Sequence, residues 1–94
     1  MEPLGTFYHC TSRANAEKII ASKAFWGNAA LTPNAAAVWH WLGEGDPVVL
    51  ELAISWEYGQ TSGRDNRRFN EATPVEVVRV LTIEEARAAT TIEP

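Results

Sequence analysis

Phe7-Tyr8-His9-Cys10-Thr11-Ser12-Arg13-Ala14-Asn15-Ala16-Glu17-Lys18-Ile19-Ile20 is the stretch whose reading decides the fold. It opens as a short aromatic strand, Phe7 to Cys10, and turns through Thr11-Ser12. It continues as a helix over Ala14 to Lys23, with Ala16, Ile19, Ile20 and Ala24 at spacings that form one apolar stripe. Ser12 is a suitable N-cap, because its hydroxyl accepts from an orphan backbone N–H of the first turn. The strand therefore delivers His9 to its own end, beside a helix start, where an imidazole can be aimed at a ligand.

Outward from this stretch, Phe25-Trp26-Gly27 reads as a short second strand or an extended link, and Asn28 to Leu31 is ambiguous. Thr32-Pro33 reads as a helix start, since threonine caps and a proline in the first turn loses no needed hydrogen bond. That helix is expected over Pro33 to Leu42, with Ala35, Val38, Trp39 and Leu42 facing inward, and is expected to stop at Gly43. Gly43 to Pro47 is a turn. Val48 to Ile54 is the strongest strand pattern: Val48, Leu50, Leu52 and Ile54 take one face and Val49, Glu51 and Ala53 the other. This places Glu51 towards solvent or a rim. Ser55 to Asn66 is polar and contains glycine, a loop long enough to be functional. Arg67 to Glu71 reads as a short strand that Thr73-Pro74 interrupts, and Val75 to Leu81 resumes it. Thr82-Ile83-Glu84-Glu85 is a capping box ahead of a last short helix, Ile83 to Ala88, with Ile83 and Ala86 inward. The fold class is α+β: a twisted, mostly antiparallel sheet of about five short strands with two or three helices.

A chain of 94 residues, 46% apolar and 21% charged, fits a single soluble globular domain. The net charge of −4 argues against general nucleic-acid binding, which demands a basic face. No apolar run approaches the about 18 residues of a membrane span and no charged-then-apolar leader is seen, so the expectation is a cytoplasmic protein without membrane contact. Cys10 is the single cysteine, which rules out an intramolecular disulfide. His9 and Cys10 are adjacent, so a strand points them to opposite faces, and no metal-ligand spacing is present. No hydrolase elbow or cysteine-protease signature surrounds Cys10, which reads as a small core residue. Arg64, Arg67 and Arg68 form a local basic cluster, able to hold a pyrophosphate or to remain a solvated turn. Glu71 lies just before the proline-broken strand and is the carboxylate of interest.

The Phe7-to-Ser12 segment with Asn15-Ala16-Glu17-Lys18-Ile19-Ile20 resembles the opening of the ADP-ribosyltransferase superfamily, in its His–aromatic–Glu branch. That branch includes poly(ADP-ribose) polymerases, RNA 2′-phosphotransferases and small bacterial toxin-type transferases. Leu31 to Trp39 resembles the second motif, Val48 to Leu52 the central strand, and Arg68-Phe69-Asn70-Glu71 ahead of Val75, Val78 and Leu81 the glutamate-bearing segment. The likeness spans about residues 7 to 85, carried by motif order and spacing rather than by any one motif. Trp39 stands where the family carries a tyrosine; it can stack on nicotinamide but has no hydroxyl.

The resemblance implies cleavage of the nicotinamide–ribose bond of NAD and transfer of ADP-ribose to an acceptor, with NAD as substrate. It implies that Glu71 stabilises the developing charge and that His9 bonds the adenosine-side ribose. It further implies that Trp39 stacks on the nicotinamide, that Tyr8, Thr11 and the backbone after Tyr8 line the cofactor cleft, and that Arg64, Arg67 or Arg68 meets the pyrophosphate. The acceptor class (protein, nucleic acid or small molecule) stays open. A bacterial or phage toxin or effector is the implied setting. Two alternatives accompany this reading: a non-catalytic module that binds a nucleotide or protein, and an RNA 2′-phosphotransferase-like enzyme. The acidic balance counts against the second.

Overall fold

Every strand of the structure joins one antiparallel sheet, and helices cover both of its faces. The structure is a computed structural model that describes residues 4–40, 45–61 and 66–91. In chain order its elements are β1 (Leu4–Ser12), α1 (Arg13–Ser22), β2 (Ala24–Ala30), α2 (Pro33–His40) and β3 (Pro47–Ser55). They continue with β4 (Gln60–Thr61), β5 (Asn66–Pro74), β6 (Glu76–Leu81) and α3 (Ile83–Thr91). The six strands lie in the order β4-β5-β2-β1-β3-β6. This is the expected α+β class, with six strands and three helices among the described residues.

Local chemistry sets the helix starts. Ser12 Oγ accepts from the Asn15 backbone N–H at 3.2 Å, and Thr32 Oγ1 accepts from that of Ala35, also at 3.2 Å. The first helix ends one residue earlier than expected, because Lys23 adopts a left-handed conformation (φ 56°) and its N–H caps the Ile19 carbonyl. The capping box closes in both directions: the Thr82 N–H donates to Glu85 Oε1 at 2.9 Å, and the Glu85 N–H donates to Thr82 Oγ1 at 3.0 Å. Thr82→Ala removes one side of that exchange and is expected to lower stability by about 1 kcal/mol, read as a shifted denaturant midpoint at unchanged slope.

β3 is the centre of packing. Val48, Leu50, Leu52 and Ile54 enter one cluster with Phe7, Phe25, Phe69 and the α1 residues Ala16 and Ile19. Val49 enters the other, with Ala30, Leu81, Ala36 and Ala37 of α2 and Ala86 of α3. The alternation along this strand is therefore apolar on both faces, as expected of a strand covered twice.

Several boundaries and faces differ from the sequence reading. β1 is longer, because all nine of its residues find partners on β3, from Leu4↔Ser55 to Ser12↔Pro47. Asn28 to Ala30, ambiguous in the sequence, continues β2. Helix α2 docks through Ala36 and Ala37, which are buried, with Ala35 half-buried, while Val38 and Trp39 are about half exposed (52% and 49%). Ile20 likewise turns outward from the α1 stripe. Leu42 and Gly43 lie outside the described residues. Glu51 does not face open solvent: its carboxylate takes Arg79 Nε at 2.9 Å and Nη2 at 2.6 Å, and its side chain is 14% exposed. β5 runs through Thr73 to Pro74 without interruption. The segment read as a long loop contains β4, which pairs Gln60 with Arg68 and Thr61 with Arg67.

The sheet is not equally knit. β1 and β3 pair along nine positions, whereas β1 and β2 pair at one, Tyr8↔Ala30. The halves β4-β5-β2 and β1-β3-β6 thus meet at a narrow seam.

Candidate functional site at the seam of the sheet

His9 sits at this seam. Its Nδ1–H donates to the backbone carbonyl of Asn28 on β2 at 2.8 Å. A carbonyl can only accept, so Nδ1 carries the proton, and in the neutral ring Nε2 holds the lone pair. Phe25 fixes the ring from the side, with centroids 4.7 Å apart and planes at 63°. The imidazole is thereby a strut between the two half-sheets, held at two points. Around it lies a depression of about 170 Å³ lined by Tyr8, His9, Cys10, Asn28, Ala36 and Trp39. The docking of α2 on its alanines leaves the indole of Trp39 at the rim.

Three of the residues read as a site, His9, Tyr8 and Trp39, line this depression, with the His9 ring itself packed on Phe25 of the α1-side cluster. Tyr8 is half-buried, and burial raises its phenol above the usual range; the Glu51 carboxylate adds to this and the Arg79 guanidinium opposes it. The phenol is thus a neutral hydrogen-bond donor at physiological pH. Cys10 shares the wall, and burial pushes its thiol up from 9.0 to about 11. A folded-state value above the unfolded one favours the neutral thiol in the folded chain. The corresponding stability is present below pH 9 and is lost as pH rises towards about 11. Native Cys10 is expected to alkylate with iodoacetamide roughly tenfold or more slowly than in the unfolded chain at mildly alkaline pH, as followed by mass spectrometry.

The remaining site residues lie elsewhere. Thr11 is buried, and its Oγ1 accepts from Asn15 Nδ2 at 2.8 Å, which braces the start of α1. Arg67 spends its donors on the chain itself: Nε donates to the Tyr58 carbonyl at 2.8 Å, and Nη2 donates to those of Trp56 (2.8 Å) and Gly59 (3.3 Å). Its guanidinium also lies 5.4 Å from the Trp56 ring centroid. Through Nε and Nη2 it staples the 56–59 turn. Arg68 is exposed on β5, in register with Asn28 on one side and Gln60 on the other. Arg64 lies outside the described residues.

Glu71 is exposed and occupies a bulge. Between Phe25↔Thr73 and Gly27↔Phe69, β5 fits Asn70, Glu71 and Ala72 against Trp26 alone. The bulge borders a second depression of about 240 Å³, shared with Glu57, Tyr58, Gly59 and Gln60. Gly59 abuts the Phe69 ring of the α1-side cluster, whereas Tyr8, Cys10 and Ala36 belong to the α2-side cluster. The two depressions open on opposite faces of the sheet and share no lining residue, so Glu71 is not brought to Tyr8 and Trp39.

Asn28, Phe25 and Ala36 contribute to the site without having been singled out from the sequence. Asn28 acts through its carbonyl, which no side-chain pattern reveals. Among the described residues no group of three or more His, Cys, Asp or Glu is placed to hold a metal ion, and no helix is long and apolar enough to cross a membrane. Comparison with protein-family models, with curated proteins and with solved structures finds no match for this chain.

Proposed function

We propose that this chain is a small ADP-ribosyltransferase-like domain that binds NAD at the seam between β1 and β2. The observation that carries the reading is the meeting of His9, Tyr8 and Trp39 around one depression, with His9 held in a single tautomer by the Asn28 carbonyl. An indole at the rim supplies a stacking surface for a planar ring, and the imidazole and phenol supply polar contacts for the attached ribose and amide. Cleavage of the nicotinamide–ribose bond develops positive charge on the sugar, much as in glycoside hydrolysis. A carboxylate beside that sugar lowers the barrier, and Glu71 is the residue assigned this role. Glu71 borders a depression on the other face of the sheet, so transfer requires a change of conformation that brings its carboxylate to the sugar. ADP-ribose then passes to an acceptor whose class remains open.

A second reading is favoured by one specific observation. Glu71 lines a different depression from His9 and Trp39, which suits a module that binds a nucleotide or partner at the seam without chemistry. An RNA 2′-phosphotransferase-like activity fits the acidic chain less well.

Titration with NAD, with tryptophan fluorescence and nicotinamide release followed together, separates these readings. Quenching with release, abolished by Glu71→Gln while quenching persists, supports the transferase. Quenching without release supports the binding module, and a chain silent in both overturns the site at the seam.

A further inference from the structure

Trp26 is the most exposed large apolar side chain among the described residues, at 66%. Strand alternation sets its face. Phe25 and Ala29 enter the α1-side cluster and Ala30 the α2-side cluster, so Trp26 and Asn28 lie on the α2 side with Ala30. Arg68 is the register partner of Asn28, and Gln60 that of Arg68, so both share this face. Phe69, next to Arg68, enters the α1-side cluster, which gives the same assignment from β5. Helices α2 and α3 pack on Ala30, Val49 and Leu81. Beyond Ala30 their cover ends, and Trp26, Asn28, Arg68 and Gln60 are all exposed. The half-sheet β4-β5-β2 is bare on this side.

Charge and continuity say what the bare face suits. The chain holds 12 Asp and Glu at a net charge of −4, yet β2, α2 and β4 contain none. The one carboxylate of β5, Glu71, borders the depression on the other side. Arg68 makes no ion pair among the described residues. Within an acidic chain, this patch accommodates an anion. Asn28 lines the seam depression with Trp39, and Trp26 is the next residue on the same face of β2, about 7 Å along the strand. Across Asn28, the depression thus borders a second open indole, with a guanidinium beside the connecting residue.

We infer that this face is the subsite for the adenosine diphosphate half of the dinucleotide, an inference that rests on the NAD reading above. The adenine stacks on the Trp26 indole, the diphosphate meets the Arg68 guanidinium, and Trp39 keeps the nicotinamide. The amides of Asn28 and Gln60 offer donors and acceptors to ribose hydroxyls. Two indoles and one guanidinium match a ligand with two planar rings joined through one diphosphate. A polynucleotide, charged at every residue, would need several cations.

Calorimetric titration with ADP and with nicotinamide mononucleotide reads the two halves separately. ADP is expected to bind, and Trp26→Ala to weaken ADP and NAD roughly tenfold or more while leaving nicotinamide mononucleotide unchanged. Trp26→Phe, which keeps a ring, is expected to retain most of the affinity. Arg68→Gln is expected to weaken ADP severalfold while leaving adenosine unchanged. Both positions are exposed, so an unchanged thermal midpoint is expected of each variant. Equal NAD affinity in the wild type and Trp26→Ala overturns the subsite and leaves the seam reading standing, as does an equal loss for both half-ligands. ADP held through Trp26 while nicotinamide mononucleotide stays unbound overturns the seam reading and leaves the subsite. Oligoadenylate bound far more tightly than ADP, or a dimer that Trp26→Ala dissociates, gives the face to single-stranded nucleic acid or to a second copy and overturns the proposal.

Discussion

Replacement of Phe25 by alanine is expected to cost about 3–5 kcal/mol, measured by urea denaturation at equilibrium. The ring is 1% exposed and stands edge-on to Phe69 with centroids 5.7 Å apart. Phe69 in turn meets Phe7 at 5.8 Å, and Phe7 meets Trp56 at 5.0 Å, so Phe25 joins the His9 ring to a chain of aromatic rings across the α1 side of the sheet. Its removal opens a cavity that neighbours already in contact cannot fill by small movements. A domain of this length has roughly 5–14 kcal/mol in total, so the variant stands near the limit of folding. Phe25→Leu keeps most of the volume and is expected to cost about 1 kcal/mol. It still frees one side of the His9 ring, and is therefore expected to weaken any ligand of the seam without unfolding the chain. A loss below about 1 kcal/mol for the alanine variant would show that the Phe25 ring is not closely packed against its aromatic neighbours.

Gly59→Ala is expected to be nearly as damaging, by about 2–4 kcal/mol, although it adds only one methyl group. The backbone at Gly59 has φ +77°, where a side chain is strained. A Cβ there would lie 2.7 Å from the Phe69 ring and 3.1 Å from the Arg68 carbonyl oxygen. Phe69 is pinned by Phe7 and Phe25, and the Arg68 carbonyl belongs to β5, so neither neighbour yields easily. The turn must shift, and with it the carbonyl of Gly59 that Arg67 Nη2 engages. The expected signature is a lower thermal midpoint together with altered near-ultraviolet dichroism from Trp56. A variant with an unchanged midpoint would refute the close approach of this turn to β5.

The parts of the fold that could be read from sequence are those decided within a few residues. Ser12, Thr32 and the Thr82/Glu85 pair cap helices because their side chains reach backbone groups three residues away. The alternation from Val48 to Ile54 reported its two faces correctly. What escaped was decided by distant partners. The inner face of α2 was expected to be its larger apolar residues, yet a helix approaching a sheet closely does so through small ones. Ala36 and Ala37 therefore took the contact, and Val38 and Trp39 were turned out. Pro74 was expected to break a strand, but it closes one, and the chain then continues through Val75, whose N–H donates to the Lys23 carbonyl at 3.1 Å. Arg67 looked like an anion ligand because its three carbonyl acceptors, at positions 56, 58 and 59, come from a turn that only the folded sheet brings near. His9 stood out because the sequence put it at a strand end, but β1 runs on to Ser12 and holds it inside the strand, and its anchor is a backbone oxygen that carries no signature. The bulge at Glu71 depends on register between β2 and β5, which a single strand does not encode.

The nine-position pairing of β1 with β3 has a consequence for how the chain reaches this structure. These strands are the most extensively paired in the sheet, yet α1, β2 and α2 all lie between them in the sequence. No tight turn joins them, so neither strand can recruit the other through a local hairpin. Closing that large loop costs entropy before any of the pairing is gained. Refolding therefore belongs to the milliseconds-to-seconds class of non-local topologies rather than to the microsecond class of helical bundles. Until β3 arrives, the aromatic edge of β1 has no partner, and that interval is when the chain is most open to association with its own copies.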